Sequence, residues 1–498
     1  MRPLLYLLAL AATSGVTASR LPSYNYVGKT DDVASYLNSL VPVARSVLTT
    51  KIAGPAIGAD PGVIITVIPE GEQDRIYWLR DACFAYYAFI SELEIVGNSD
   101  VPLRGLVDDY VHALIRTQHV LNPSGSVSTG GLNEALFDVK IDKVTVDAWR
   151  IGSPAADGPP LRAIVLIKYA EWLLRPEQKN GTWVADVLWP AINLDLQWIS
   201  AHWNESSWDL WWAPVWGGSY WTATMQHRRK TDDPGFDGIA SLTFWNEEKG
   251  FMTETTITKV TPIGGRSGIG AAPLTVAVQN FDPTLGCDPK TFQPCSDRAL
   301  SSLKVVGDAF RKIFPIDQTL PPDQFPYFGF FIEDELFGGQ VQYFASFNVA
   351  EQIYDALITW DIIGKLDVTK VSLEFFRQFD KTIKVGTYLK HSITYRELTS
   401  SLKLTADNTI RSLAKRTPPD LILPLTMNKT SGEPMTIARG ALRSQVAVLG
   451  ARGAYNGVIP PSWYNGGPGP KSLEEPVVDS GPCHGGFRDE SQIGFGYY

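Results

Sequence analysis

Residues 102–117 read PLRGLVDDYVHALIRT, and Leu103, Leu106, Val107, Tyr110, Val111, Leu114 and Ile115 recur in it at intervals of three and four. That spacing lines one face of a 3.6-residue helix with apolar side chains. Residues 161–174, LRAIVLIKYAEWLL, repeat the pattern through Leu161, Ile164, Val165, Trp172 and Leu173. Segments 189–203, 345–360, 368–380, 396–414 and 437–450 read as further helices by the same test. Between them lie Gly- and Pro-rich stretches, 121–160, 212–242 and 261–295, which read as long loops, and strand signals are few and short. Helices joined by long aromatic loops predict an all-α chain folded as an α/α barrel. In such a barrel, helices pair in inner and outer layers and the loops at one end build the site. A solenoid would show a fixed repeat period, and none is visible.

The composition narrows the function. Lys and Arg number 44 against 53 Asp and Glu, for a formal charge of -9, and they form no long run, so the basic footprint of a nucleic-acid binder is missing. Charged residues at 19% and hydrophobic residues at 44% describe a folded core rather than a disordered chain. The 15 Trp, 19 Tyr and 22 Phe suit two roles, core filling and stacking on the apolar faces of sugar rings. There is no His-Glu-x-x-His pair for zinc, no Gly-x-Ser-x-Gly elbow and no phosphate loop, so no metal or cofactor is expected.

The N-terminus reads as a secretory leader. Arg2 supplies the positive end, Leu4 to Ala12 an apolar stretch too short to span a bilayer, and Val16-Thr17-Ala18 a small-residue cleavage site. The expected organisation is a leader over 1–18, a barrel domain over 19–465 and a Gly/Pro-rich tail over 466–498. No later run of apolar residues is long enough for a membrane anchor, so an extracellular protein is expected. An oxidising compartment favours disulfides among the four cysteines. Cys287 and Cys295 bracket a turn-rich loop and are expected to pair, while Cys83 and Cys483 remain an open second pair. Asn180, Asn204 and Asn428 each open an Asn-x-Ser/Thr triplet and are candidate glycosylation sites.

Several blocks, in collinear order, resemble fungal glucoamylases of glycoside hydrolase family 15. Tyr77-Trp78-Leu79-Arg80-Asp81 is similar to the family's Trp-x-Arg-Asp element. Asn133-Glu134, Trp149 and Asp157-Gly158-Pro159 follow, then Asp209-Leu210-Trp211 and Gln226-His227-Arg228. The blocks Phe281-Asp282-Pro283, Thr291 to Ser296, Glu351 to Leu357, Ser431-Gly432-Glu433 and Ile459 to Trp463 carry the likeness over roughly residues 25 to 465. The resemblance implies an (α/α)6 six-hairpin toroid of about twelve helices, a monomer, and an inverting exo-hydrolase releasing β-glucose from starch and maltooligosaccharides. The starch-binding domain that many fungal members carry beyond the barrel is not expected in this chain.

Inverting hydrolysis needs two carboxyl groups roughly 6.5–9.5 Å apart, one to protonate the leaving oxygen and one to activate water. The family's acid is a Glu directly after Asp-Leu-Trp, and Trp212 stands there; no Asp or Glu occurs between Trp211 and Thr231. The family's base precedes Ser-Gly-Glu, and Leu425 aligns with it, with no carboxylate between Asp420 and Glu433. Of the sugar-binding set, the resemblance assigns Arg80 and Asp81 to hydrogen bonds with the terminal glucose and Trp149 to stacking, with Trp211 beside them. Two family arginines align with Ala156 and Phe330, and a family tryptophan falls near Arg443. A hydrolase whose catalytic pair is absent is therefore expected. Two alternatives stand beside it. One is an active enzyme with relocated carboxylates, drawn from Glu134, Glu247, Glu248, Glu254, Glu333, Asp334, Glu335 and above all Glu433. The other is a binding module that holds a glycan or another protein through a tryptophan-rich mouth, Trp211, Trp212, Trp216 and Trp221.

Overall fold

The computed structural model describes residues 32–52, 58–66, 76–96, 100–123, 125–144, 155–175, 178, 180–203, 205, 218–227, 244–256, 266–335, 338–436 and 438–457. All fall within the first of two compact units, Met1–Ser462; the second, Trp463–Tyr498, lies outside them, as do the expected leader and the Gly/Pro-rich tail.

Eleven helices of eight residues or more occur among the described residues. In chain order they are α1 (Asp32–Thr50), α2 (Leu79–Val96), α3 (Val101–Thr117), α4 (Gly158–Leu173), α5 (Trp189–His202), α6 (Tyr220–His227), α7 (Ala272–Gln279), α8 (Asp297–Ile313), α9 (Tyr343–Ile363), α10 (Ile393–Ala414) and α11 (Leu442–Tyr455). Six of them, α2, α4, α6, α7, α9 and α11, form a closed ring in which each packs on the next and α11 returns to α2. The other five lie outside it: α3 on α2, α5 on α4, α8 on α7, α10 on α9 and α1 on α11. This is an (α/α)6 barrel, the fold expected from the sequence.

Burial separates the two layers. On outer α8, Ala299, Leu303, Val306 and Phe310 are buried at helical intervals, whereas Asp308, Lys312 and Ile313 are exposed. On inner α9, every side chain from Tyr343 to Trp360 is buried, and all eight residues of α7 are. An inner helix touches protein on all sides, so its sequence has no polar face to alternate with an apolar one.

That difference explains where sequence and structure part. The stretches 212–242 and 261–295, read as loops, contain α6 and α7. The segment 368–380, read as a helix, holds only the helical turn Leu373–Phe376. It lies between two strands, β6 and β7, of a surface hairpin. The eight strands are β1 (Tyr77–Trp78), β2 (Leu136–Phe137), β3 (Trp245–Asn246), β4 (Phe251–Met252), β5 (Val341–Gln342), β6 (Lys365–Val368), β7 (Gly386–Leu389) and β8 (Thr426–Met427), paired antiparallel as β1-β2, β3-β4, β5-β8 and β6-β7. No helix among the described residues is long and apolar enough to cross a membrane.

Buried charges fix the layers against each other. The Arg162 guanidinium on α4 donates from Nε to Asp195 Oδ2 on α5 at 2.9 Å, from Nη1 to Thr117 Oγ1 at 3.3 Å and from Nη2 to the Leu132 carbonyl at 3.2 Å. One side chain thus ties α3, α4, α5 and the loop before α4. The Cys287–Cys295 disulfide is formed, with S–S 2.09 Å. Cys83 is free and buried within α2, with the Tyr110 hydroxyl donating to its Sγ at 3.3 Å. Cys483, the other half of the open pair, lies outside the described residues, and burial pushes the Cys83 thiol up to about 12.

Asp317 lies in the turn Pro315–Gln318 after α8, and its Oδ1 accepts from the Tyr327 N–H at 2.8 Å. Burial pushes its carboxyl up to about 7 from an ordinary 3.8. The folded state therefore keeps a proton that the unfolded chain releases, and stability falls as pH rises from about 4 to about 7. The whole effect is worth roughly 4 kcal/mol at most. Asp317→Asn should match the wild type at pH 4 and exceed it at pH 8, compared by urea unfolding at the two pH values.

Candidate functional site

Contacts among their first turns gather the N-termini of the inner helices at one end of the barrel: Asp157 meets Arg80 and Trp221, Asp81 meets Arg443, and Phe84, Thr275, Phe344 and Arg443 line one cavity. A piece of backbone pairing anchors each start. Strand β1 leads into α2, the Ser219–Thr255 bridge into α6, the Gly270–Phe331 bridge into α7, and β5, paired with β8, into α9. Ala155 donates to the Asn133 carbonyl at 2.7 Å just before α4, and Gly440 to the Leu423 carbonyl at 3.0 Å just before α11. Each free N-terminus carries roughly half a positive charge, so this end favours negative groups and hydroxyl oxygens.

Two ion pairs at this end involve the neighbours Arg80 and Asp81. Arg80, in the first turn of α2, is 1% exposed and pairs through Nε with Asp157 Oδ2, itself 1% exposed. The same oxygen accepts Trp221 Nε1 at 2.7 Å from α6. Asp157 thus joins the starts of α2, α4 and α6. Asp81, the next residue of α2, accepts Arg443 Nε from α11 at 2.7 Å, and this pair is 14% and 10% exposed. Lys51, at the end of α1, also feels the Asp81 carboxylate, although burial is the larger effect and holds its ammonium below its ordinary range.

A cavity of about 30 Å³ runs inward from Arg443. Phe84, Phe344, Asn348 and Glu351 line it with Thr275, Gln279 and the α11 residues Val446, Ala447 and Gly450. Its floor is polar. Asn348 Nδ2 donates to Thr275 Oγ1 at 3.2 Å, and the buried Glu351 carboxylate fits only because residue 450 is glycine. A Cβ there would lie 2.6 Å from Glu351 Oε1.

The sequence profile of Glycosyl hydrolases family 15 matches residues 42–447. The chain belongs to this family. Glucoamylase-1 of Schizophyllum commune is 38% identical over 457 residues, 87% of this chain and 76% of that protein. Glucoamylase of Neurospora crassa is 32% identical, over 86% of this chain and 70% of that protein. Among solved structures, the family 15 glucoamylase from Hypocrea jecorina superposes with a TM-score of 0.79 at 31% identity, covering 87% of this chain and 74% of that one.

Within this family 15 barrel, the site residues expected from sequence fall in different places. Arg80 and Asp81 are at the mouth, each with a protein partner. Leu425 is there too, half-buried, its carbonyl accepting the Tyr343 N–H at 3.2 Å where α9 begins. Phe330 and Ala156, at the aligned arginine positions, are buried at the starts of α7 and α4. The Phe330 ring stands 6.4 Å from that of Phe344, and its carbonyl accepts Ala271 N–H at 2.8 Å. Trp149, Trp211, Trp212, Trp216 and Asn204 lie outside the described residues. Asn180 and Asn428 are half-buried, and Asn428 Oδ1 accepts the Thr430 and Ser431 N–H groups in a tight turn.

The alternative carboxylates are spread widely. Glu247 and Glu248 are exposed on the β3-β4 turn, and Glu335 and Glu433 are exposed too. Glu134 is buried just before β2. Glu333 Oε1 accepts the Ser267 N–H at 3.0 Å and Asp334 is half-buried beside it. Glu254 is buried at the mouth, but its Oε1 accepts the Ala272 N–H at 2.8 Å and caps α7, with Arg266 Nη1 at 3.8 Å from Oε2. A Cβ at residue 270 would meet this carboxylate at 2.3 Å, so Gly270 makes room for it. Sequence reading missed Arg443 as the partner of Asp81 and Asp157 as the partner of Arg80. Both pairs join residues far apart in the chain, and only the aligned blocks hinted at them.

Removing one partner of a fully buried ion pair costs about 3–5 kcal/mol, because the other charge stays buried. Asp157→Ala should lose that much in urea unfolding. Glu374→Ala, which breaks the exposed Glu374–Arg377 pair on the surface, should change stability by about 0–1 kcal/mol.

Proposed function

We propose that this chain is a secreted relative of the glucan 1,4-alpha-glucosidases that keeps their barrel and has lost their hydrolytic chemistry. One observation carries the reading: at the helix N-termini, where an inverting enzyme needs its base, the aligned residue is Leu425. An alkyl side chain takes no proton from water. Trp212 at the aligned acid position removes the second carboxyl in the same way, since an indole N–H does not protonate a leaving oxygen at ordinary pH.

The relocated-carboxylate alternative finds little support in the geometry. Glu254 is committed to capping α7 and to Arg266, and Gly270 is shaped around it. Glu433 is exposed on the 428–433 turn. A general acid or base contributes roughly 10²–10⁴-fold each, so the absence of both leaves at most about 10⁻⁴ of a normal rate.

Glucose release from maltoheptaose near pH 5, with an active fungal glucoamylase alongside, tests this. The expected result is no release above a heat-killed control. Leu425→Glu and Trp212→Glu, each alone, should stay silent, because each restores one carboxyl of two. Release by the wild type that Glu433→Gln abolishes would instead establish relocated chemistry. Secretion has its own check. Expressed with its leader in a fungal host, the chain should appear in the medium with an N-terminus near Ser19 by mass spectrometry.

A further inference from the structure

We propose that Arg443 closes the sugar pocket of this barrel by occupying the place of a bound pyranose, so that a neutral sugar enters only when Arg443 is removed. The proposal rests on the reading above that the mouth is a former α-glucan site, and it adds the residue that decides what the site accepts.

The geometry comes from three inner helices. The Arg443 guanidinium carbon lies 5.9 Å from the Trp78 ring, 5.9 Å from the Phe84 ring and 5.8 Å from the Phe344 ring. Its Nε donates to Asp81 Oδ1 at 2.7 Å. A planar cation among aromatic rings with a carboxylate at its edge is fully provided for. Those are also the two things a pyranose seeks in a protein: an aromatic surface for its C–H face and a carboxylate oxygen for its hydroxyls. Arg443 and a sugar therefore compete for the same groups.

Magnitudes favour the arginine. Its bond to Asp81 is charge-assisted and mostly withdrawn from water, roughly twice as strong as a neutral hydroxyl bond to the same oxygen. The cavity that Arg443 lines has about 30 Å³ of space, room for water beside the guanidinium. Truncating Arg443 would join the volume of its side chain to that cavity and release Asp81 as an acceptor. Lys51 stays within the field of Asp81 from the end of α1, so the carboxylate keeps a cation nearby in the truncated protein.

The test is isothermal titration calorimetry of maltose into the full mature chain. The wild type should give no saturable heat at millimolar maltose, while Arg443→Ala should bind at least tenfold more tightly. Adding Asp81→Asn to Arg443→Ala should remove the gain, because the released carboxylate is what the sugar uses. Should Arg443→Ala fail to fold, Arg443→Gln keeps the stem, removes the charge and carries the same expectation. Maltose binding by the wild type as tight as by either variant overturns the proposal. So does a variant with native circular dichroism and a cooperative melt that gains no binding. Hydrolysis is scored separately. Glucose release by the wild type sinks the preceding reading, whereas a silent wild type with no gain in the variants sinks only the role given to Arg443.

Discussion

Asp157 brings one negative charge to the point where three inner helices begin, and two donors close on a single oxygen of it. Arg80 arrives from α2 and Trp221 from α6, while Asp157 itself opens α4. Arg80 and Asp157 are each 1% exposed, so both charges are held away from water. The mouth takes its shape from this constraint. With Arg80 fixed, the following residue, Asp81, points across the opening toward α11, and the start of α2 is set relative to that of α9 through Phe84 and Phe344. Among the described residues, a buried charge joins the starts of α2, α4 and α6 at this end of the barrel.

The two ion pairs at the mouth differ in kind. Arg80–Asp157 is sealed and internal to the scaffold. Arg443–Asp81 borders the cavity and keeps a little exposure. The first preserves the fold whatever the site does. The second decides which functional groups the site presents, because a carboxylate already bonded to a guanidinium offers less to an incoming hydroxyl. On the proposed reading, Phe330 and Leu425 would act in the same direction, by placing hydrocarbon where hydrogen-bonding groups would otherwise meet a ligand. A sugar hydroxyl buried without a partner is penalised by about 1–3 kcal/mol.

How far the sequence could be read follows from this layering. Helix α3 announces itself because only one of its faces is buried, so Leu103, Val107, Tyr110 and Leu114 recur against a polar background. Helix α7, Ala272 to Gln279, is buried all round and reads as a featureless apolar run in a Gly-rich stretch. Helix α6 is short and set in an aromatic context that resembles a loop. The segment after Val368 misled for the opposite reason, since Leu373, Phe375 and Phe376 imitate helical spacing while the chain spends them on a single turn between two strands. At the site, Arg80 and Asp81 were legible through a local motif. Arg443 was legible only as a departure from an aligned position, and its bond to Asp81 spans 362 residues of sequence, which no local pattern encodes.

The positions that separate a hydrolase from a bare scaffold in this fold are not the positions that hold the scaffold together. Leu425 lies on the connection between α10 and α11, and Trp212 on the one between α5 and α6. Asp157, Arg80, Arg162 and Asp195 are on the helices or at their first residues. A catalytic carboxylate at a helix-lined mouth is costly to the fold, because the chemistry needs it partly desolvated and unpaired. Leucine at residue 425 carries no such cost, and its carbonyl still accepts the Tyr343 N–H at 3.2 Å. On the proposed reading, loss of chemistry would be the downhill direction for stability in such a barrel, and the same reasoning would cover Arg443. A guanidinium that settles onto Asp81 neutralises a carboxylate which an open pocket would leave waiting for substrate. On the proposed reading the barrel would survive that loss, because the buried pairs Arg80–Asp157 and Arg162–Asp195 hold it elsewhere.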